Sequence, residues 1–216
     1  MIFISLGVNC FTASALKLYN LKKCSYMFDW SCTNVDNVIT IMKNYNIENY
    51  QKLINNPWKM KGDTSYGLLT FVHHNDISYR ERTIKRFFNV LDSDDNKVFI
   101  ITVQQGSWWG KGNKYDIEKI KEIYNLLERK TKNFKLICIN VFDNLKEDIH
   151  TLNYIENNEF FELWEMRTKY STPWVLPEKE KYNIFSNFFK KYTELNNLDN
   201  LKDVKTPQTV SEWNNL

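Results

Sequence analysis

A thiol, a pair of imidazoles, two spaced guanidinium groups and a tryptophan pair carry most of the reactive chemistry in this sequence. Cys10 follows a short apolar run, Ile2 to Leu6, and then Gly7, Val8 and Asn9. It stands where a helix is expected to begin. A thiol at a helix N-terminus faces the positive end of the dipole, which favours the thiolate. Gly7 permits the sharp turn that would expose it. A nucleophile on a strand-to-helix turn is a recurrent arrangement. The competing reading is a small buried residue packing the first turn, and spacing alone favours that one.

A nucleophilic thiol needs a base to take its proton. The chain has three histidines. His73 and His74 fall at the end of an expected strand. Neighbours on a strand point to opposite faces, so only one of the two can face Cys10. A solvated strand end is the plainer account of the pair. His150 lies in a polar stretch and is expected to be exposed. Asp29, Asp76 and Asn9 are candidates to orient a base, and the sequence does not choose among them. Backbone amides near Asn9 and Phe11 would hold an oxyanion. Together these residues describe a cysteine-dependent hydrolase or acyl transferase acting on a peptide or other acyl substrate.

A second set points to binding. Tyr79, Arg82 and Arg86 recur at helical spacing, and Arg82 and Arg86 are i,i+4 neighbours able to grip a carboxylate or phosphate. Surface pairing with Glu81 or nearby Asp residues is the alternative. Trp108 and Trp109 sit in a Gly-flanked loop and could stack on a sugar, base or peptide, or anchor that loop into the core. On this reading the chain is a non-catalytic binding or host-interaction domain for an anionic or sugar-like ligand, and Cys10 is only packed.

Other classes are excluded by composition. The formal net charge of +3 comes from basic residues interspersed with acids, so nucleic acid is not an expected partner. Cys10, Cys24, Cys32 and Cys138 match no zinc spacing, and the histidines do not complete one. No metal and no cofactor is expected. No stretch approaches the ~20 apolar residues of a membrane span. The first ten residues suggest a strand rather than a signal peptide. Free thiols in a reduced, cytoplasmic compartment are the default, which for a viral protein means the host cytoplasm.

These residues need elements to position them. Ile2–Leu6 is expected as a buried strand, followed by a helix over Cys10–Tyr19 capped by Asn9 or Thr12. Two short helices are expected within Val35–Asn55. Gly67–Val72 suggests the second strand of the sheet, and Ser78–Leu91 a helix with Ile84, Phe87, Phe88 and Leu91 inward. Lys97–Val103 and Phe134–Val141 are continuous apolar runs that suggest fully buried strands. The helix between them is expected over Asp116–Lys130. Glu159–Arg167 suggests a further strand, and Glu178–Leu195 an amphipathic helix. Strands alternating with helices give an α/β, three-layer αβα sandwich with a mostly parallel sheet. Residues 1–195 form one domain, and residues 196–216 a polar tail. Ligands in such sheets sit at the carboxyl ends of strands. That rule selects the loops at Gly7–Cys10, His73–Asp76 and Gln104–Asn113.

At these residues the chain resembles a family of papain-like cysteine peptidases named largely by prediction, with members in bacteria and large DNA viruses. The matching pieces are Ser5-Leu6-Gly7-Val8-Asn9-Cys10 and Ser25-Tyr26-Met27-Phe28-Asp29-Trp30. Phe71-Val72-His73 and a Tyr-x-x-Arg-x-x-x-Arg-Phe helix from Tyr79 to Phe87 follow. Their order and spacing extend over roughly the first 105 residues. Met27 stands where Pro is expected before Phe-Asp-Trp. The resemblance implies Cys10 as nucleophile, His73 as base and Asp29 as a further polar member of the site. The family name also implies a helix packed on an antiparallel sheet. The alternation instead places the thiol after the first strand of a parallel one, as in esterase-type α/β hydrolases, and the α/β expectation stands on that.

Overall fold

A computed structural model describes residues 1–7, 10–54, 69–71, 76–105, 115–143, 145–169, 184–186, 188–189 and 191. Its main sheet has five strands, β1 (Ile2–Ser5), β4 (Lys97–Gln105), β5 (Phe134–Phe142), β6 (His150–Asn157) and β7 (Glu162–Thr168), in the order β1-β4-β5-β7-β6. Neighbours from β1 to β7 are parallel, and β6 closes one edge antiparallel to β7. The α/β reading is therefore correct. β4 and β5 are buried along almost their whole length, as unbroken apolar runs covered on both faces must be.

Two apolar layers cover the sheet. On one face α2 (Val35–Asn44), α4 (Ile77–Asp92) and α5 (Ile117–Lys130) pack onto Ile4, Phe99, Ile101, Leu136 and Cys138. On the other, α1 (Phe11–Leu18) packs onto Phe3, Val98, Ile100 and Ile139. It is joined there by Phe185, Phe188 and Phe189, which are helical and buried. The remainder of the expected 178–195 helix, and the 196–216 tail, lie outside the described residues. Asn34, Asp76 and Asp116 cap α2, α4 and α5 with their side-chain oxygens, which satisfies first-turn N–H groups.

Four expectations change. Gly67–Val72 does not enter the main sheet. Its described part is β3 (Thr70–Phe71), paired antiparallel with β2 (Ser31–Cys32) in a separate two-stranded sheet. An apolar run of this length has the composition of a sheet strand but no register of its own, so composition could not assign its partner. Second, α1 is not capped by Thr12, whose hydroxyl instead lies 2.5 Å from that of Thr102 on β4. Cys10 itself occupies the N-cap position, without a side-chain capping bond. Third, β6 was not expected. Its later residues, Asn153 to Asn157, are exposed, Tyr154 and Ile155 among them, as an edge strand allows. Fourth, His150 belongs to β6 and is not exposed. Its side chain is 10% accessible, with Nδ1 3.1 Å from Thr168 Oγ1 and Nε2 3.2 Å from Asp148 Oδ1.

At the opposite, amino end of the sheet, Lys97 is buried. Its ammonium donates to the carbonyls of Ser93, Asp95 and Lys132 at 2.6, 2.8 and 3.1 Å.

Candidate functional site

The site is built on the turn that leaves β1. Gly7 has φ +82°, and its amide donates to Ser5 Oγ at 3.1 Å. A Cβ there would lie 2.9 Å from Thr33 Cγ2 and 3.4 Å from Phe28 Cβ. The first motif piece thus packs directly against the second, at Phe28, and only glycine fits between them. We expect Gly7→Ala to cost about 2 kcal/mol, from the left-handed backbone and the contact with Thr33 together. Chemical denaturation measures this, and a change within ~0.5 kcal/mol would contradict the close approach.

The piece on α4 joins the same cluster. The Phe28 ring meets Phe87 of α4 edge-on, with centroids 5.2 Å apart. Asp29 is 1% exposed. Its Oδ2 accepts the Tyr26 amide at 2.7 Å and sits 3.1 Å from Lys22 Nζ. Lys22 Nζ lies 4.5 Å from the centre of the Trp30 ring. The Phe-Asp-Trp piece therefore divides its work. Phe28 fills the core, Asp29 closes its own turn and takes a lysine, and Trp30 covers that lysine. Burial raises the Asp29 carboxyl above its ordinary range, while Lys22 and the Tyr26 amide pull against it.

Cys10 is 1% exposed. Burial drives its thiol far above the ordinary range, and the nearby Cys32 and Asp29 add to this. A backbone hydrogen bond and Lys22 act in the other direction without prevailing. The expectation that the helix end would favour the thiolate is corrected here. Dipole effects are worth typically 0.3–1 kcal/mol, and desolvation of a buried ion exceeds that. Burial likewise pushes Cys32 up to about 12. Cys10 is thus a neutral thiol in a mixed environment of ionisable and apolar groups.

On α4, Tyr79 and Arg86 are partly buried and Arg82 is exposed. The Arg82 guanidinium lies 5.6 Å from the Tyr79 ring centre. Burial pushes the Tyr79 phenol up to about 12, against the hydroxyl of Ser25 and both arginines. It raises the Tyr26 phenol too, with Arg86 again opposing. Glu81 pairs with Lys85 at 2.6 Å and accepts from Tyr50 at 2.9 Å. That exposed carboxylate is engaged with a lysine of its own helix, not with the neighbouring arginines. Asp76, a candidate orienter, instead caps α4 by accepting from the amide and hydroxyl of Ser78 at 2.9 and 2.7 Å.

Cys10, Asp29, Tyr79 and Arg86 thus converge on one end of the molecule, the carboxyl end of β1 and the facing side of α4. His73, His74, Asn9, Trp108 and Trp109 lie outside the described residues. Among the described residues there is no cluster of His, Cys, Asp and Glu that could hold a metal ion, and no helix long and apolar enough to cross a membrane. Reading by motif missed Lys22 and Cys32. Neither has a local signal, and Lys22 meets its carboxylate only when the turn at Tyr26–Asp29 brings Asp29 to it.

Residues 1–69 match the family described as "Putative papain-like cysteine peptidase". No curated protein and no solved structure matches the chain. The peptidase match spans the Cys10 turn, the Lys22–Asp29 pair and α2. It stops short of the histidine pair and of α4, although the resembling pieces continue to Phe87. The similarity to this family therefore rests on the same segment that packs around Gly7.

Proposed function

We propose that the chain is a cysteine-dependent hydrolase or acyl transferase with Cys10 as its nucleophile. The observation that carries this reading is the position of Cys10, at the N-cap of α1 on the turn from β1, inside the segment that matches the peptidase family. A histidine, His73 or His74, takes the thiol proton as the sulfur attacks a carbonyl carbon. The leaving group departs with that proton, and water or an acceptor then removes the acyl group. Because burial holds the thiol neutral, proton transfer accompanies attack, and no standing thiolate is required. Asp29 is a further polar member of the site, acting through Lys22 and through its charge near the Cys10 thiol.

The test is acyl trapping on the native full-length chain. After incubation with p-nitrophenyl acetate, the acetyl group is expected on the peptide carrying Cys10, and not on the one carrying Cys138. Cys138 is also buried and lies mid-strand in β5, so it controls for mere thiol chemistry. Acetylation of Cys10 no faster than that of Cys138 rejects the nucleophile assignment.

A second reading has its own observation. A thiol 1% exposed with its pKa raised is what a packing residue looks like. On that reading the chain binds an anionic or sugar-like ligand without covalent chemistry, through Arg82 and Arg86 of α4 together with Trp108 and Trp109. It wins if Cys10→Ser binds inorganic phosphate as the wild type does while Arg86→Ala loses it.

A further inference from the structure

A polar row crosses the α1-side face of the sheet at its carboxyl end. Val98 and Ile100 of β4 point into the α1 layer, as do Ile137, Ile139 and Val141 of β5. Alternation carries Thr102 and Gln104 to that same face, and Asp143 follows the β5 series one step past the strand end. Thr12 meets Thr102, and Gln104 Nε2 donates to Asp143 Oδ2 at 2.8 Å. Gln104 is 1% exposed and Asp143 6%. The second carboxyl oxygen of Asp143, Oδ1, is buried with no hydrogen-bond partner among the described residues.

That orphan oxygen calls for an explanation. A buried acceptor without a partner is destabilising, and more so if it is charged. Buried polar groups in folded proteins almost always find partners. The pair is not needed to hold β4 to β5, which share nine registered positions from Lys97–Phe134 to Gln105–Phe142. The carboxyl ends of parallel strands are also where ligands sit in such sheets. Gln104 fixes one oxygen and so aims the other.

We propose that Gln104 and Asp143 form a ligand subsite in which Asp143 Oδ1 accepts a hydrogen bond from an N–H donor, an amide or a primary amine, of the bound molecule. The subsite does not depend on Cys10 being the nucleophile. Its two residues come from β4 and the end of β5, whereas Lys22 and Asp29 belong to the motif segment that follows α1. Burial raises the Asp143 carboxyl, with the Gln104 amide and, more weakly, the backbone amide of Asp143 itself opposing. An N–H donor at Oδ1 would add to that opposition and favour the carboxylate.

Glycinamide is the probe, because it carries both an ammonium and an amide. Tetramethylammonium is the control, with the same charge and no N–H. In the native chain, glycinamide is expected to shift the Gln104 side-chain amide and the Asp143 backbone amide in a saturable way by NMR. Asp143→Asn should weaken this at least about tenfold, the equivalent of losing one charge-assisted hydrogen bond. If Asp143→Asn does not fold, Gln104→Met tests the same carboxylate through the Asp143 backbone amide, and weaker binding is expected. Three results each overturn the proposal. These are no saturable shift with glycinamide, an equal shift with tetramethylammonium, or wild-type affinity in whichever variant folds. The readout is binding and not turnover, so a failure of Cys10 acylation leaves it standing.

Discussion

Replacing Lys22 with methionine is expected to cost the fold about 3–5 kcal/mol, the usual loss when one partner of a buried ion pair is removed. Methionine keeps most of the apolar stem that lies near Trp30, so the loss reports the ammonium. What remains is Asp29, 1% exposed, with the Tyr26 amide as its other partner. Equilibrium unfolding in urea would show a lower midpoint at unchanged slope. The double variant Lys22→Met with Asp29→Asn should recover most of the loss, because no uncompensated charge is then buried. The single variant should also regain stability on acidification. The Asp29 carboxyl is raised in the folded state, so the folded protein binds its proton more readily than the unfolded chain. Stability is then greatest below the unfolded carboxyl range and falls as pH rises through it. A loss under ~1 kcal/mol in the single variant would mean the pair is solvated like a surface bridge.

The second large effect is alkaline. Cys10, Cys32 and Cys138 are all buried, and burial raises all three thiols. In the unfolded chain they ionise near the ordinary thiol value of ~8.5. Above that pH the unfolded state has shed protons that the folded state retains, so stability falls as pH rises. Each such thiol contributes a slope of about 1.4 kcal/mol per pH unit, and three together about 4. The window opens near pH ~8.5 and for Cys32 extends to about 12. Cys138→Ala should flatten the slope by roughly one proton in three, read from urea midpoints across the alkaline range. A midpoint that stays level between about pH 8 and 10 would mean the thiols are not buried in the way described.

What could be seen in the residues beforehand follows from where the determinants lie. The apolar runs of β4 and β5 announce a covered parallel sheet because both faces must be apolar, and α5 between them announces the crossover. Asp116 marks a helix start because capping is a matter of a few neighbouring residues, whereas Asp76, which caps α4 in the same local way, was read as an orienter of a base. β3 was misplaced because pairing is decided by a distant partner, here Ser31–Cys32. β6 was missed because Leu152 and Tyr154 alone are too short an alternation to stand out in a polar stretch. At the site, the position of Cys10 was legible from Gly7 and the following helix. Its protonation state was not, since that depends on Asp29, Cys32 and Lys22 being folded over it. Asp143 was invisible for a similar reason. Only the register of β4 on β5 brings Gln104 to it.

Lys97 gives the two ends of the sheet different mechanical characters. One ammonium ties the α4–β4 connection to the α5–β5 connection by holding carbonyls from both. A residue inserted in either connection would pull a carbonyl off that ammonium, so chain length is fixed at the amino end. At the carboxyl end the described contacts are between single side chains, such as Thr12 with Thr102 and Gln104 with Asp143. A change of chain length is therefore expected to cost most at the amino end, where one buried ammonium holds carbonyls from two connections.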